Sequence, residues 1–592
     1  MILSQNIQKV KADILLNNRG AMKIRQRCEK SGIRSVKMRK RSFLSLLLAM
    51  GILTSATACG GTPPGFASQE SYSNDITVLK VFNFDGGIGH EWLENVKARF
   101  EEDYKNYSFE EGKTGVAIEI VRGRGAIRDL LSQGQGDVIF SEEVYYYDSV
   151  AEGKILDITD VITSSLSDVT NGAETGSILD KLDPSQQRAL TARNDKYYAL
   201  PHYEIYSGLT YDIDLFTQNA LYISRTGGWT DDLSEASCGP DGDYSTVYDN
   251  GLPSSYEEFY KLMDQMENVG VSPFVFAGSL TKYTNDLLSG LWAAYSGKDE
   301  FLLNVNFDSE GTDTKARIMD FSSGTGVEKE VSINMENGYL MSQQSGKYYA
   351  LEFLEKMLSN ASYISDRVTG SLSHTGAQEN FIFSSFEGYP IGMLIEGSYW
   401  YNEAKDHVKR SEATYKEKAK NRKLAWMPLP RQITGSVQEG EGKKNTLLEI
   451  LASFAVVNAS VGTKEECAKT FLKYCYTDES LVNFTLDTGV PKGVKYTLSE
   501  GDLAQLPYYQ RSLMEVKSVS DVIYPYSDNP IFVNHQNVFA YNLGSKVWES
   551  NGIGELVAYE VFKAGTATAK DYFLGSAISQ SSWNAQYSKY FA

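Results

Sequence analysis

Acidic and aromatic side chains fall together at the ends of strand-like apolar runs in this chain. Asp85 follows Ile76–Phe84. Ser141, Glu142 and Glu143 follow Asp137–Phe140. Glu396, Tyr399 and Trp400 follow Ile391–Ile395. This pairing suits a hydroxylated ring. An aromatic face covers the apolar C–H face of a pyranose, and carboxylates accept its hydroxyl protons in strong, charge-assisted bonds. Such a site also rejects ligands without hydroxyls, because its own polar groups would go unpaired. With 38 Tyr, 26 Phe and 7 Trp, aromatic platforms are plentiful. Each candidate has a plainer use. Asp85 can cap a helix beginning near Gly89. Glu142 can belong to an acidic surface. Tyr399 and Trp400 can fill a core.

Other motifs carry less. Gly86-Gly87-Ile88-Gly89 follows a strand but lacks the full dinucleotide fingerprint. Asp241-Gly242-Asp243 offers oxygen ligands for calcium, yet no glutamate closes the loop in the EF-hand manner, and a solvated turn is the favoured reading. His90 and His202 read as structural histidines. No Cys/His spacing of zinc type occurs, so no metal and no cofactor is expected.

The elements that position these residues alternate. Ile76–Phe84 is a β-branched and aromatic run suited to a strand buried on both faces. Trp92, Val96, Phe100 and Tyr104 then repeat every four residues, one face of an amphipathic helix. A strand at Val116–Val121, a helix at Ala126–Leu131 and a strand at Asp137–Phe140 follow, the pattern of a parallel, doubly wound sheet. Ser255 and Glu258 form a capping box for a helix over Tyr256–Glu267. Further elements are an apolar helix at Asn285–Tyr295, strands at Ile391–Ile395 and Ala452–Val457, and a helix at Glu465–Cys475. Asn304–Gly338 reads as an insertion or long loop, and Leu424–Pro430 as a segment crossing between domains.

The N-terminus carries a different signal. Arg39, Lys40 and Arg41 precede an apolar run from Phe43 to Leu53, then Ser55, Ala56, Thr57, Ala58 and Cys59. A basic region, a short apolar region and a small-residue exit make a secretion signal, too short to span a bilayer. A cysteine directly after it resembles a lipobox, with Cys59 the lipidation site; the plainer alternative is an ordinary cleaved signal. The expected organisation is a leader or mis-assigned start over 1–37, a signal over 38–58 and a flexible tether over 59–75. Residues 1–58 hold twelve Lys/Arg and two Asp/Glu, or +10, which leaves −29 for the rest of a chain of net charge −19. An acidic exported body argues against nucleic-acid binding. Cys467 and Cys475 lie eight residues apart on one helix, about 12 Å, too far for a disulfide.

Several longer segments resemble bacterial extracellular solute-binding proteins, family 1, the carbohydrate-binding lipoproteins of ABC transporters. They are KVFNFDGGIGHEWLENVKARFEEDY, GDVIFSEEVYYYDSVAEGKILDITD, NDKYYALPHYEIYSGLTYDIDLF, NGLPSSYEEFYKLMDQMENVGVSPFVFAG, PIGMLIEGSYWYNEA, LAWMPLP and SFAVVNASVGTKEECAKTFLKYCYTDE. Asp212 stands where the family's return strand usually has Asn. The likeness covers roughly 76–592 apart from Asn304–Gly338. It implies an α/β, type II periplasmic-binding-protein fold, two discontinuous α/β lobes around a ligand cleft. The lobes would be 76–202 plus 427–492 and 203–426 plus 493–592. Strand ends of the two lobes would then face each other, which adds Tyr203, Glu204 and Tyr206 at the first crossing and Trp426 at the second. One or two of the three first-crossing residues are expected to face the cleft, and for Trp426 hinge packing is the competing role.

The resemblance further implies a monomeric receptor, not an enzyme. It would be held to the membrane by its N-terminal lipid on the outer face of a Gram-positive cell, passing a sugar or oligosaccharide to the permease subunits of an ABC importer. Two alternatives stay open. A binding protein of this fold could take a peptide or polyamine, which the −29 field would attract. A secreted glycoside hydrolase could use Glu142/Glu143 or Glu396/Glu403 as its carboxyl pair, although no eight-fold β/α recurrence is present.

Overall fold

The computed structural model describes residues 72–142, 146–280, 282–450, 453–534 and 558–587. The expectations for 1–37, 38–58, Cys59, Glu143 and most of the 59–75 tether lie outside them. The chain opens with β1 (Thr77–Phe84), α1 (Glu91–Asp103), β2 (Val116–Gly123), α2 (Ile127–Ser132) and β3 (Val138–Ser141). β1 lies between β2 and β3 and is parallel to both. Every residue of β3 is buried, as an apolar run covered on both faces requires. α1 buries Trp92, Leu93, Val96 and Phe100 on one face. Then β4 (Leu200–Pro201) ends this sheet, and the chain passes to a second one.

The second lobe begins at β5 (Ser207–Asp212). It continues through α3 (Tyr256–Asn268), β6 (Ser272–Val275), α4 (Lys282–Ser296), the hairpin β7 (Ala316–Asp320) and β8 (Val327–Val331), and α5 (Ser345–Ser359). It then runs through α6 (His374–Glu387), β9 (Ile391–Gly397), α7 (Trp400–Glu403), α8 (Lys405–Tyr415), α9 (Glu417–Lys420) and β10 (Leu424–Met427). Its sheet has the order β10-β5-β9-β6. The capping box at Ser255 and Glu258 is formed at the start of α3. After β11 (Thr446–Leu448) the chain recrosses into β12 (Phe454–Val457), which joins the first sheet antiparallel to β3 and β4 and completes the order β2-β1-β3-β12-β4. α10 (Glu465–Tyr474) and α11 (Asp478–Thr488) cover that lobe. α12 (Tyr508–Val519) and β13 (Asp521–Ile523) return to the second, where β13 pairs with β11. The result is a type II periplasmic-binding-protein fold, each lobe discontinuous in sequence.

Three differences from the sequence reading have clear causes. Leu424–Met427 is no crossing segment. Its four residues are all buried as β10, antiparallel to β5, and the chain returns to the first lobe only after β11. Residues 427–448 therefore stay with the second lobe, where Met427, Leu429 and Leu448 join its core. Asn304–Gly338 contains the β7–β8 hairpin, whose Ala316, Ile318 and Met319 are buried against that core while β8 faces out. Its polar composition reflects the exposed strand. Cys238, Cys467 and Cys475 are free and buried.

The first lobe packs around Trp92, Phe100, Ile139 and Phe471. The second has two clusters, one around Phe259, Leu291 and Trp292, the other around Phe381, Trp400 and Trp426. Among the described residues, no helix is long and apolar enough to cross a membrane.

Candidate functional site

The carboxyl ends of β1 and β3 meet the carboxyl end of β9 across the two lobes. The loop after β1 is built on glycine because of what it approaches. A Cβ on Gly86 would stand 2.6 Å from Glu142 Oε1, and one on Gly87 would stand 2.5 Å from the Tyr399 ring of the opposite lobe. Asn402 Nδ2 donates to the Gly87 carbonyl (3.0 Å), and Lys405 pairs with Glu91 at 2.7 Å. Both contacts join one lobe to the other.

On the first lobe, Glu142 is partly buried and accepts the Tyr203 hydroxyl. Burial raises its carboxyl above the usual range, against the opposing pull of Tyr203, Arg124 and Lys282. Arg124 donates from Nε to the Asp85 carbonyl (3.0 Å) and lies 5.8 Å from the Phe84 ring centre.

On the second lobe, the Tyr399 ring is flanked by Gly397, where a Cβ would be 2.7 Å from Cε1, and by Gly87. Its hydroxyl and that of Tyr283 are 3.0 Å apart. Behind it, Gln378 uses one amide nitrogen to join two acids, Glu396 at 3.0 Å and Glu403 at 2.7 Å. Glu396 also accepts the Gly397 N–H (2.9 Å). Burial pushes its carboxyl up to about 8, so it is largely protonated at neutral pH. Burial works against the charge of Glu403 too, but the bonds from His374 and Gln378 prevail and hold it below the normal carboxylate range. His374 Nε2 is 3.4 Å from Glu403, and that contact raises the imidazole in return.

Glu142, Tyr203, Glu396 and Tyr399 thus gather at one place. The other candidates lie elsewhere. Asp85 is about half exposed at the rim and pairs with Arg122 at 3.0 Å. Trp400 is fully buried; its indole N–H donates to Thr210 Oγ1 (2.9 Å) and its ring packs on Phe381 and Tyr509. Trp426 is buried in the same cluster, and a Cβ on Gly208 would meet its ring at 2.6 Å. Tyr206 and Glu204 are bonded to each other in the hinge, where Glu204 also accepts Tyr524 and pairs with Lys517 at 2.9 Å.

Arg124, Tyr283, His374, Gln378 and Asn402 take part without having been singled out in the sequence, and Gly87, read there only as part of an incomplete glycine fingerprint, takes part through its close approach to Tyr399. His374 and Gln378 are four residues apart on α6, hence on one face, which was the available signal. Chemically the site offers phenol rings, the carboxyls of Glu142, Glu396 and Glu403, a guanidinium and an imidazole. Among the described residues no group of three or more His, Cys, Asp or Glu side chains is placed to hold a metal ion.

No protein-family model and no curated protein matches the chain. Solved structures do. A chitin oligosaccharide binding protein is similar over 86% of this chain and 99% of its own, at 14% identity and a TM-score of 0.50. Apo RafE from Streptococcus pneumoniae aligns over 88% of this chain and all of its own, at 12% identity and a TM-score of 0.49. MsmE from Bacillus subtilis, in an open conformation, aligns over the same shares at 12% identity and a TM-score of 0.48. The first likeness is one of fold, and it runs through both lobes.

Proposed function

We propose that this protein is an extracellular, lipid-anchored receptor that captures a carbohydrate, most naturally an oligosaccharide, and delivers it unchanged to the permease of an ABC importer. One observation carries the reading. An aromatic ring of one lobe, Tyr399, meets Gly87 in the glycine loop of the other, and the neighbouring Gly86 lies against the Glu142 carboxyl, so a ring for stacking and an acid for hydroxyls come from opposite jaws. The fold shared with a chitin oligosaccharide binding protein supports it. The Cys59 motif and the signal-like run before it support secretion and tethering.

The mechanism is hinge closure. The ligand binds the closed form better than the open one and shifts the population toward it. No bond of the sugar is broken. The test is a glycan-panel thermal shift followed by calorimetry on the mature protein. A saccharide that raises the melting temperature in proportion to the logarithm of its concentration is the expected result. Stabilisation by peptides or polyamines with no response to any glycan would refute the sugar assignment.

A further inference from the structure

Outside the cleft, the second lobe carries a basic surface at odds with the rest of the molecule. Residues 405–423 hold eight Lys/Arg against three Asp/Glu, or +5, in a chain of net charge −19. Part of this charge faces a groove of about 540 Å³. Lys405, Lys409 and Lys420 stand along it, and Leu486, Leu506 and Tyr508 give it apolar area. Among the described residues, the exposed Lys409 side chain makes no hydrogen bond or ion pair, and the exposed Lys420 pairs with Glu417 at 3.6 Å. Two acids share the groove, Glu412 and Asp487, and Asp487 is engaged by Asn95 at 2.7 Å.

The walls come from both lobes. Leu486 and Asp487 belong to α11 of the first; α8, α9 and α12 belong to the second. The Lys405–Glu91 pair joins the lobes beside it. The groove therefore exists in this form only when the lobes are together.

We propose that this groove docks an acidic, partly apolar polypeptide segment of a partner protein, and that it does so in the closed state. Charge selects the segment: the body around the patch repels an acidic partner everywhere else and orients it here. Shape selects a polypeptide over a membrane surface. A flat lipid face would touch only the rim, whereas a helix or extended chain can place apolar side chains on the groove floor and carboxylates beside the lysines. The inference is independent of what the cleft binds.

The test uses the full mature chain and a fluorescein-labelled peptide of roughly twelve residues with Glu and Leu at helical spacing, followed by fluorescence anisotropy. A second peptide has Gln for every Glu. The Glu peptide is expected to bind, with affinity falling as salt rises. Lys409→Glu with Lys420→Glu is expected to weaken it by about tenfold or more without moving the thermal midpoint. Glu91→Lys, which sets like charges across the lobes, is expected to weaken it as well. Equal binding of the Gln peptide, or undiminished affinity in the double variant, would overturn the proposal. Co-sedimentation with phosphatidylglycerol vesicles in place of peptide binding would overturn it in favour of a lipid surface. Undiminished affinity in Glu91→Lys would overturn the claim that the closed state is required.

Discussion

Replacing Gly87 with alanine tests whether closure is what the site is for. The added Cβ would stand 2.5 Å from the Tyr399 ring. Ordinary carbon–carbon contact is about 3.5–4.0 Å, so something must move by roughly 1 Å. The ring cannot retreat easily, because Gly397 lies behind it and Tyr283 holds its hydroxyl at 3.0 Å. Gly87 does not have positive φ, so the open lobe accommodates alanine without backbone strain. Overpacking of this kind costs about 1–3 kcal/mol, and here it falls on the closed form alone. The apparent affinity for a glycan should drop by about 5- to 150-fold. Small-angle scattering should show a larger radius of gyration at equal ligand concentration. Adding Tyr399→Ala removes the obstacle, so the two changes should be strongly non-additive. A Gly87→Ala protein that bound and compacted like its parent would refute the closure argument.

Tyr399→Ala and Trp400→Ala should separate binding from stability. The first removes the cleft platform and should cost more than about 2 kcal/mol of binding in calorimetry. The second empties a core site and should cost about 3–5 kcal/mol in urea unfolding, with the folded protein still binding; the reverse pattern would mean the two side chains have been confused. Glu396 makes stability depend on pH. Its carboxyl is raised from 4.5 to about 8 by burial, so its contribution is complete below the unfolded value and is lost as pH rises through about 8. Urea midpoints should fall from pH 5 to pH 8, and Glu396→Gln, which cannot ionise, should flatten that slope. Lys492 has the opposite sign. Burial lowers it from 10.5 to about 7, and its Nζ lies 4.4 Å from the Phe484 ring centre and 2.9 Å from His202 Nδ1. Its contribution is present above the unfolded value and lost as pH falls through about 7. Lys492→Met should therefore raise stability at pH 7 by roughly 1–4 kcal/mol, and a lower melting temperature would show that the ring contacts outweigh desolvation.

The strands and helices of the first lobe were legible because their signals are local. A run such as Val138–Ser141 is buried throughout, and Trp92, Val96 and Phe100 repeat at helical spacing. The site was legible only in part. Tyr399 and Trp400 are adjacent where α7 begins, and neighbours on a helix diverge by about 100°. One can face the cleft while the other fills the core, and no local signal says which. The second crossing was misplaced for a related reason. Leu424–Met427 is as apolar as a crossing, but it forms the buried edge strand beside β5. Glu403 and Gln378 matter only because α6 and α7 converge behind Tyr399, a long-range fact absent from any single segment.

At the crossing, buried acids are taken up by hinge partners. Glu204 lies on the first passage between lobes and Glu449 on the second, and the passages run side by side, with Ile450 N donating to Ile205 O at 2.9 Å. Tyr524 bonds Glu204 and Tyr526 bonds Glu449, both from the short segment after β13. Burial raises Glu449 well above the usual carboxylate range, and Lys517 pairs with Glu204 at 2.9 Å. The tyrosines then tie both passages to a third piece of chain, which resists shear between them. The contacts of Tyr399 with Gly87 and of Lys405 with Glu91 join the lobes away from these passages. The hinge closure proposed above needs a fixed pivot, and the buried acid–aromatic pairs at the two passages are placed to supply one, while Tyr399 and Gly87 meet on the facing surfaces of the lobes.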